Sequence, residues 1–184
     1  MSFGYRKTLM SITSAGPTLT AAAAATCLPT QKSTLPAGAF DALGQTFWGK
    51  VTGKISNVVT TPGTARFDLR LGGTVVFDTL AMNLNIVAKT NVHFDLEFLL
   101  TLNTVGSAAS FMQWGQFTSE AVIGSPLPTV GGSGVLLVPY NTAPVVGGTF
   151  DSQAAQQIDL FFTQTAATGS LTVLQAVFEA PRWE

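Results

Sequence analysis

The single histidine of this chain, His93, stands two residues before Asp95 and four before Glu97. In a strand these three side chains share one face, because alternate residues point the same way. A Ser-His-Asp triad would have to use His93, with a nucleophile brought from elsewhere in the chain. The segment nearest to a nucleophile elbow, residues 131–135, reads GGSGV and lacks the last glycine of G-x-S-x-G. A metal site would need His93, Asp95 and Glu97 to converge on one ion. Successive residues on one strand face lie ~6.6–6.8 Å apart, which is wide for ligands that each sit ~2 Å from a metal. Asp95 and Glu97 also have the residue types of a glycosidase pair, but every polar strand face produces such pairs. The row reads best as a solvated face. With no G-K-[ST] phosphate loop either, the chain is expected to be no enzyme, with no catalytic residue, cofactor or metal.

The aromatic residues offer a second kind of chemistry. Trp48, Trp114, Trp183, Tyr5 and Tyr140 are side chains that stack on sugar rings or fill protein interfaces. Trp48 leads this group, because it falls on the polar phase of its strand.

That phase is set by the elements around it. Phe47, Gly49, Val51, Gly53 and Ile55 alternate with Trp48, Lys50, Thr52, Lys54 and Ser56, the period of a half-buried strand. Residues 65–71 alternate likewise and meet residues 74–77 across Gly72-Gly73, a tight-hairpin signal. Residues 81–86 read as a further short strand. Residues 93–103 put Phe94, Leu96, Phe98, Leu100 and Leu102 on one face, with Leu99 as the exception on the other. Residues 110–118 and 156–165 read as strands. Residues 171–180 are apolar on both phases, as in a strand covered on both sides. Residues 124–149 are a Gly/Pro-rich loop holding the short apolar run 135–138. About eight strands at short spacing, without an amphipathic helix, predict an all-β antiparallel β-sandwich of jelly-roll type.

Residues 1–34 differ. They are rich in Thr, Ala and Ser, and Pro17 and Pro29 bracket the alanines at 21–25. They are expected to form an extended N-terminal arm ahead of a domain at 35–184, holding at most one early strand. Phe3, Tyr5, Leu9 and Ile12 are the arm's groups worth burying on a partner, and Arg6 and Lys7 would add attraction to an acidic surface.

Composition narrows the partners. Only 10% of the 184 residues are charged, against about 25% in an ordinary soluble domain. Nine Lys/Arg against ten Asp/Glu give a net charge of −1, and no basic cluster extends beyond Arg6-Lys7. Nucleic acid is not an expected partner. No apolar run approaches the ~18 residues of a membrane helix, and no targeting segment is expected. Cys27 is the sole cysteine, so the fold holds without an internal disulfide. A surface this poor in charge, together with the doubly apolar last strand, predicts a homotrimer.

The stretch KISNVVTTPGTARFDLRLGGTVVFDTLAMNLNIVAKTNVHFDLEFLL at 54–100, with FTSEAVIGSP at 117–126, FDSQAAQQIDLFFTQT at 150–165 and LTVLQAVFEA at 171–180, resembles tailed-bacteriophage virion proteins with a jelly-roll-like β-domain. The resemblance implies a capsid cement, decoration or head-fibre protein on the outer surface of the virion. Its expected partners are the major capsid protein, held through the arm, and further copies of itself. The alternative is a receptor- or glycan-binding module of a phage head or tail fibre, with a host-surface glycan as ligand and Trp48 in its site.

Overall fold

The computed structural model describes residues 6–30, 32–58, 63–123, 134–167 and 169–181, with Arg6 and Pro181 described by backbone alone. Thirteen strands appear among them: β1 (Arg6–Ser11), β2 (Ala25–Thr26), β3 (Thr34–Leu35), β4 (Thr46–Asn57), β5 (Thr64–Leu71), β6 (Thr74–Asp78), β7 (Met82–Asn83), β8 (Lys89–Thr104), β9 (Ser110–Ser119), β10 (Val135–Val138), β11 (Val145–Val146), β12 (Gln156–Gln164) and β13 (Ser170–Pro181). The described residues contain no helix.

The strands form two antiparallel sheets. The larger runs β1-β13-β4-β8-β9, with β10 and β11 both on the far edge of β9; the smaller is built on β2-β12-β5-β6, with β3 on β12 and β7 on β5. Chain order crosses between sheets from β4 to β5 and back from β7 to β8, which makes the sandwich jelly-roll-like. The expected hairpin is β5–β6: Gly72 and Gly73 sit at φ 57° and 94°, the left-handed pair that a two-residue turn requires.

Phenylalanine fills the space between the sheets. Phe67 of β5 reaches across to Phe94 and Phe117 of the larger sheet, with ring centres 5.6 and 5.5 Å away, and Phe77 of β6 stacks on Phe98 at 4.6 Å. Room for these rings comes from glycines on the neighbouring strands. Across the inner face, Phe178, Gly49, Phe98 and Gly115 stand directly opposite one another on β13, β4, β8 and β9. A Cβ on Gly49 would lie 2.2 Å from the Phe98 ring and 2.8 Å from that of Phe178. The ring of one strand thus lies over the bare backbone of the next.

Two expectations are corrected. The first is the last strand. β13 is covered on both sides only at its start, where Thr172 is buried against Thr18, and not along its length; its register shifts between Val173 and Gln175. Leu171 and Val173 point inward before the bulge, Ala176, Phe178 and Ala180 after it, and Leu174 is left 45% exposed. The apparent second apolar face is one strand whose phase changes once. With it goes the packing motive for a trimer through this strand.

The second is the arm. Over its described residues, the 1–34 segment is sewn into both sheets. β1 pairs with β13, the Leu19 and Leu171 backbones exchange hydrogen bonds (2.8 and 3.0 Å), and the Cys27 N–H donates to the Leu160 carbonyl at 2.9 Å. Met10, Cys27 and Leu28 are buried in the core, and Leu9, Ile12 and Leu19 pack against it. Beyond β1, whose register shifts between Thr8 and Met10, the segment reaches this state through one- and two-residue pairings, which leave no period in the sequence.

Burial, and more weakly the charge of Asp159, push the Cys27 thiol far above the ordinary thiol range. A thiolate is the reactive form, so native protein is expected not to react with a thiol reagent at pH 8 until urea unfolds the whole domain. Rapid labelling of native protein would mean that residues 25–28 detach on their own. Gly49→Ala is expected to lower the unfolding free energy by about 2 kcal/mol or more, measured by urea titration, because its methyl overlaps two rings.

Candidate functional site

The inner row of Phe and Gly dictates what faces out one residue away. On the outer face of the larger sheet, Trp48 of β4, Leu99 of β8 and Trp114 of β9 stand directly opposite one another. Adjacent strands lie ~4.7–4.9 Å apart, so the two tryptophan backbones are separated by roughly 9–10 Å with Leu99 between them. The next outer row is Lys50, Glu97, Gln116 and Leu137. Trp48, Leu99, Trp114, Glu97 and Gln116, with the backbone side of Phe98, line a shallow groove of about 390 Å³.

The walls of the groove are chemically mixed. Trp114 is 49% exposed and Trp48 half-buried. The Trp48 indole N–H donates to Glu97 Oε1 at 2.9 Å, which fixes both the ring and the carboxylate. The Gln116 amide donates to Thr118 Oγ1 at 3.2 Å. Lys50 Nζ lies 3.0 Å from Asp95 Oδ2. That hydrogen bond first, and the charges of Asp95 and then Glu97, hold the Lys50 ammonium above its ordinary range. Leu99, the one break in the alternation of its strand, forms the floor.

Trp48 is therefore placed as the sequence predicts, on the open face. Trp114 is its partner. The signal for it was local: Met112, Trp114 and Gln116 occupy the exposed phase of β9, but their meeting with Trp48 depends on a register across three strands. The other expected residues do not gather here. Leu9 and Ile12 are spent on the core, Lys7 is exposed on β1, and Arg6 pairs by backbone with Pro181. Phe3, Tyr5 and Trp183 lie outside the described residues, as does the 124–133 part of the long loop. Tyr140 packs against the core, its N–H donating to the Thr79 carbonyl at 2.8 Å. His93 is exposed opposite Lys54. Among the described residues, no three His, Cys, Asp or Glu side chains are grouped to hold a metal.

Fold and groove together define an antiparallel β-sandwich domain with an aromatic groove on its open sheet face. No family model matches the chain, and no curated protein does. Among solved structures it is similar to the CBM2 module of the evolved Dit of Lactobacillus casei BL23 phage J-1, with a TM-score of 0.28 and 11% identity over 83% of this chain and 69% of that one. The fold assignment rests on the strand pairings, not on this distant likeness.

Because Trp48 and Glu97 sit on the open face, Trp48→Phe is expected to shift the unfolding free energy by no more than about 1 kcal/mol. The same change should reduce the tryptophan fluorescence without altering the far-ultraviolet circular dichroism of the sandwich.

Proposed function

We propose that this chain is a non-enzymatic glycan-binding domain of a virion protein, and that the groove between Trp48 and Trp114 is its binding site. The observation that supports the reading is the pairing of two accessible indoles in one groove with a carboxylate and an amide. Indole faces stack on the apolar faces of pyranose rings. Glu97 and Gln116 supply acceptors and donors for hydroxyls, and hydrogen bonds to a charged acceptor are the stronger kind. A few oriented polar groups around an apolar floor are what a small-ligand site needs. The virion setting rests on the sequence resemblance.

Capsid cementing through residues 1–28 loses its motive, because the described part of that segment already spends its apolar groups on its own core. A contact with protein keeps support from a different place. Leu137 is 72% exposed on β10, beside exposed Val135, with Met112 and Val146 on the same edge of the sheet. An apolar edge of this kind favours packing against a second copy or a shell subunit. Sedimentation equilibrium of the wild type and of Leu137→Asp tests that reading. An assembly through this edge dissociates in the variant, and a wild-type monomer at micromolar concentration rejects self-association.

The groove is tested on a glycan array with wild type and Trp114→Ala. Binding of the wild type to a defined set of glycans is expected, with at least about a tenfold loss in the variant and unchanged thermal unfolding. Equal binding by both proteins would place the site elsewhere.

A further inference from the structure

The charges around the groove narrow the ligand. Glu97 is not a swinging surface carboxylate, because its Oε1 accepts the Trp48 indole N–H at 2.9 Å and is held at the groove wall. Directly opposite it on β4 stands Lys50, but the Lys50 ammonium is bonded to Asp95 at 3.0 Å. One cation thus faces two carboxylates, and Glu179 of β13, directly opposite Trp48, places a further carboxylate beside that ring. On the other side of Glu97 in the same outer row stands Gln116, a neutral amide, with Leu137 beyond it. On the other side of the tryptophans, the flanking row is Thr46, Thr101 and Met112, which carries no charge.

We propose that the groove selects uncharged glycan chains and that Glu97 sets this selectivity by repelling acidic sugars, an inference that rests on the glycan-binding reading above. A ring stacked between the indoles brings its substituents against Glu97. A hydroxyl there donates to the carboxylate. A carboxylate, sulfate or phosphate there meets a like charge whose facing cation among the described residues, Lys50, is already bonded to Asp95, and juxtaposed like charges across an interface suppress a wrong partner. The two indoles are two strand spacings apart, which suits an extended chain of rings laid across the strands rather than a single sugar.

Oligosaccharides matched except at a carboxylate provide the test: glucose oligomers against their glucuronate counterparts, and the methyl esters of sialyl-galactosyl termini against the free acids. Each pair is measured with wild type, Glu97→Gln and Trp114→Ala. Glu97→Gln removes the charge and keeps an oxygen to accept the Trp48 N–H. The wild type is expected to prefer the neutral member of a pair by about tenfold or more, with the preference narrowing as salt rises, since screening weakens repulsion at an exposed site. In Glu97→Gln the preference should fall to within about threefold. The salt series on unmodified protein stands even if a variant folds poorly. If the wild type binds acidic members as tightly as neutral ones, and Trp114→Ala abolishes both, the groove is a glycan site and the charge inference is overturned. If Glu97→Gln keeps the full preference, it is overturned too. Absence of binding to every glycan overturns the site and the inference together.

Discussion

The structure depends on rings lying over bare backbone. Phe178, Gly49, Phe98 and Gly115 alternate across four strands of the larger sheet, and neither residue type works there without the other. A side chain at Gly49 would occupy the space of two rings. A smaller residue at Phe98 would leave a void beneath Phe77 of the facing sheet. Such pairing fixes which residue of β4 opposes which residue of β8, because a slip by one position would set ring against ring and turn every side chain to the wrong face. The same alternation recurs at Gly53 and Phe94.

What lies outside follows from this lock. Trp48, Leu99 and Trp114 form a row only because their inward neighbours are held in register. Their chemistry is carried on long central strands rather than on loops, and a site on such elements keeps its geometry before any ligand arrives. The smaller sheet carries a different surface. There Arg66 pairs with Asp78, Arg70 with Asp68 while lying over the Phe161 ring, and Lys32 with Asp159. A protein with so few charges has placed many of them in pairs, so little net field extends from that side.

Much of this was legible in the sequence where a period existed. The long strands β4, β8 and β9 declare their buried faces by alternation, and Gly72-Gly73 declares a hairpin. The exposed position of Trp48 could be read from its phase. Three things escaped for physical reasons. Residues 6–35 join the sandwich through a short strand whose register shifts midway, between Thr8 and Met10, and beyond it through one- and two-residue pairings that impose no pattern on side chains. The bulge near Leu174 inserts one residue and makes a one-sided strand look two-sided. Trp114 meets Trp48 only after a hairpin and a crossover have been folded, and 66 positions of sequence separation hide a relation set by register.

The pairing of the first and last strands has a mechanical meaning. β1 and β13 are antiparallel neighbours, and Arg6 stands opposite Pro181, so the start of the first strand and the end of the last lie side by side at one end of the sheet. Tension between those two points falls on the cross-strand hydrogen bonds one pair at a time, since antiparallel bonds lie perpendicular to the strands. The edge would open as a zipper does, from Arg6 towards Ser11, and would not resist as a sheared block. The central strands that carry the groove lie outside that first line of load.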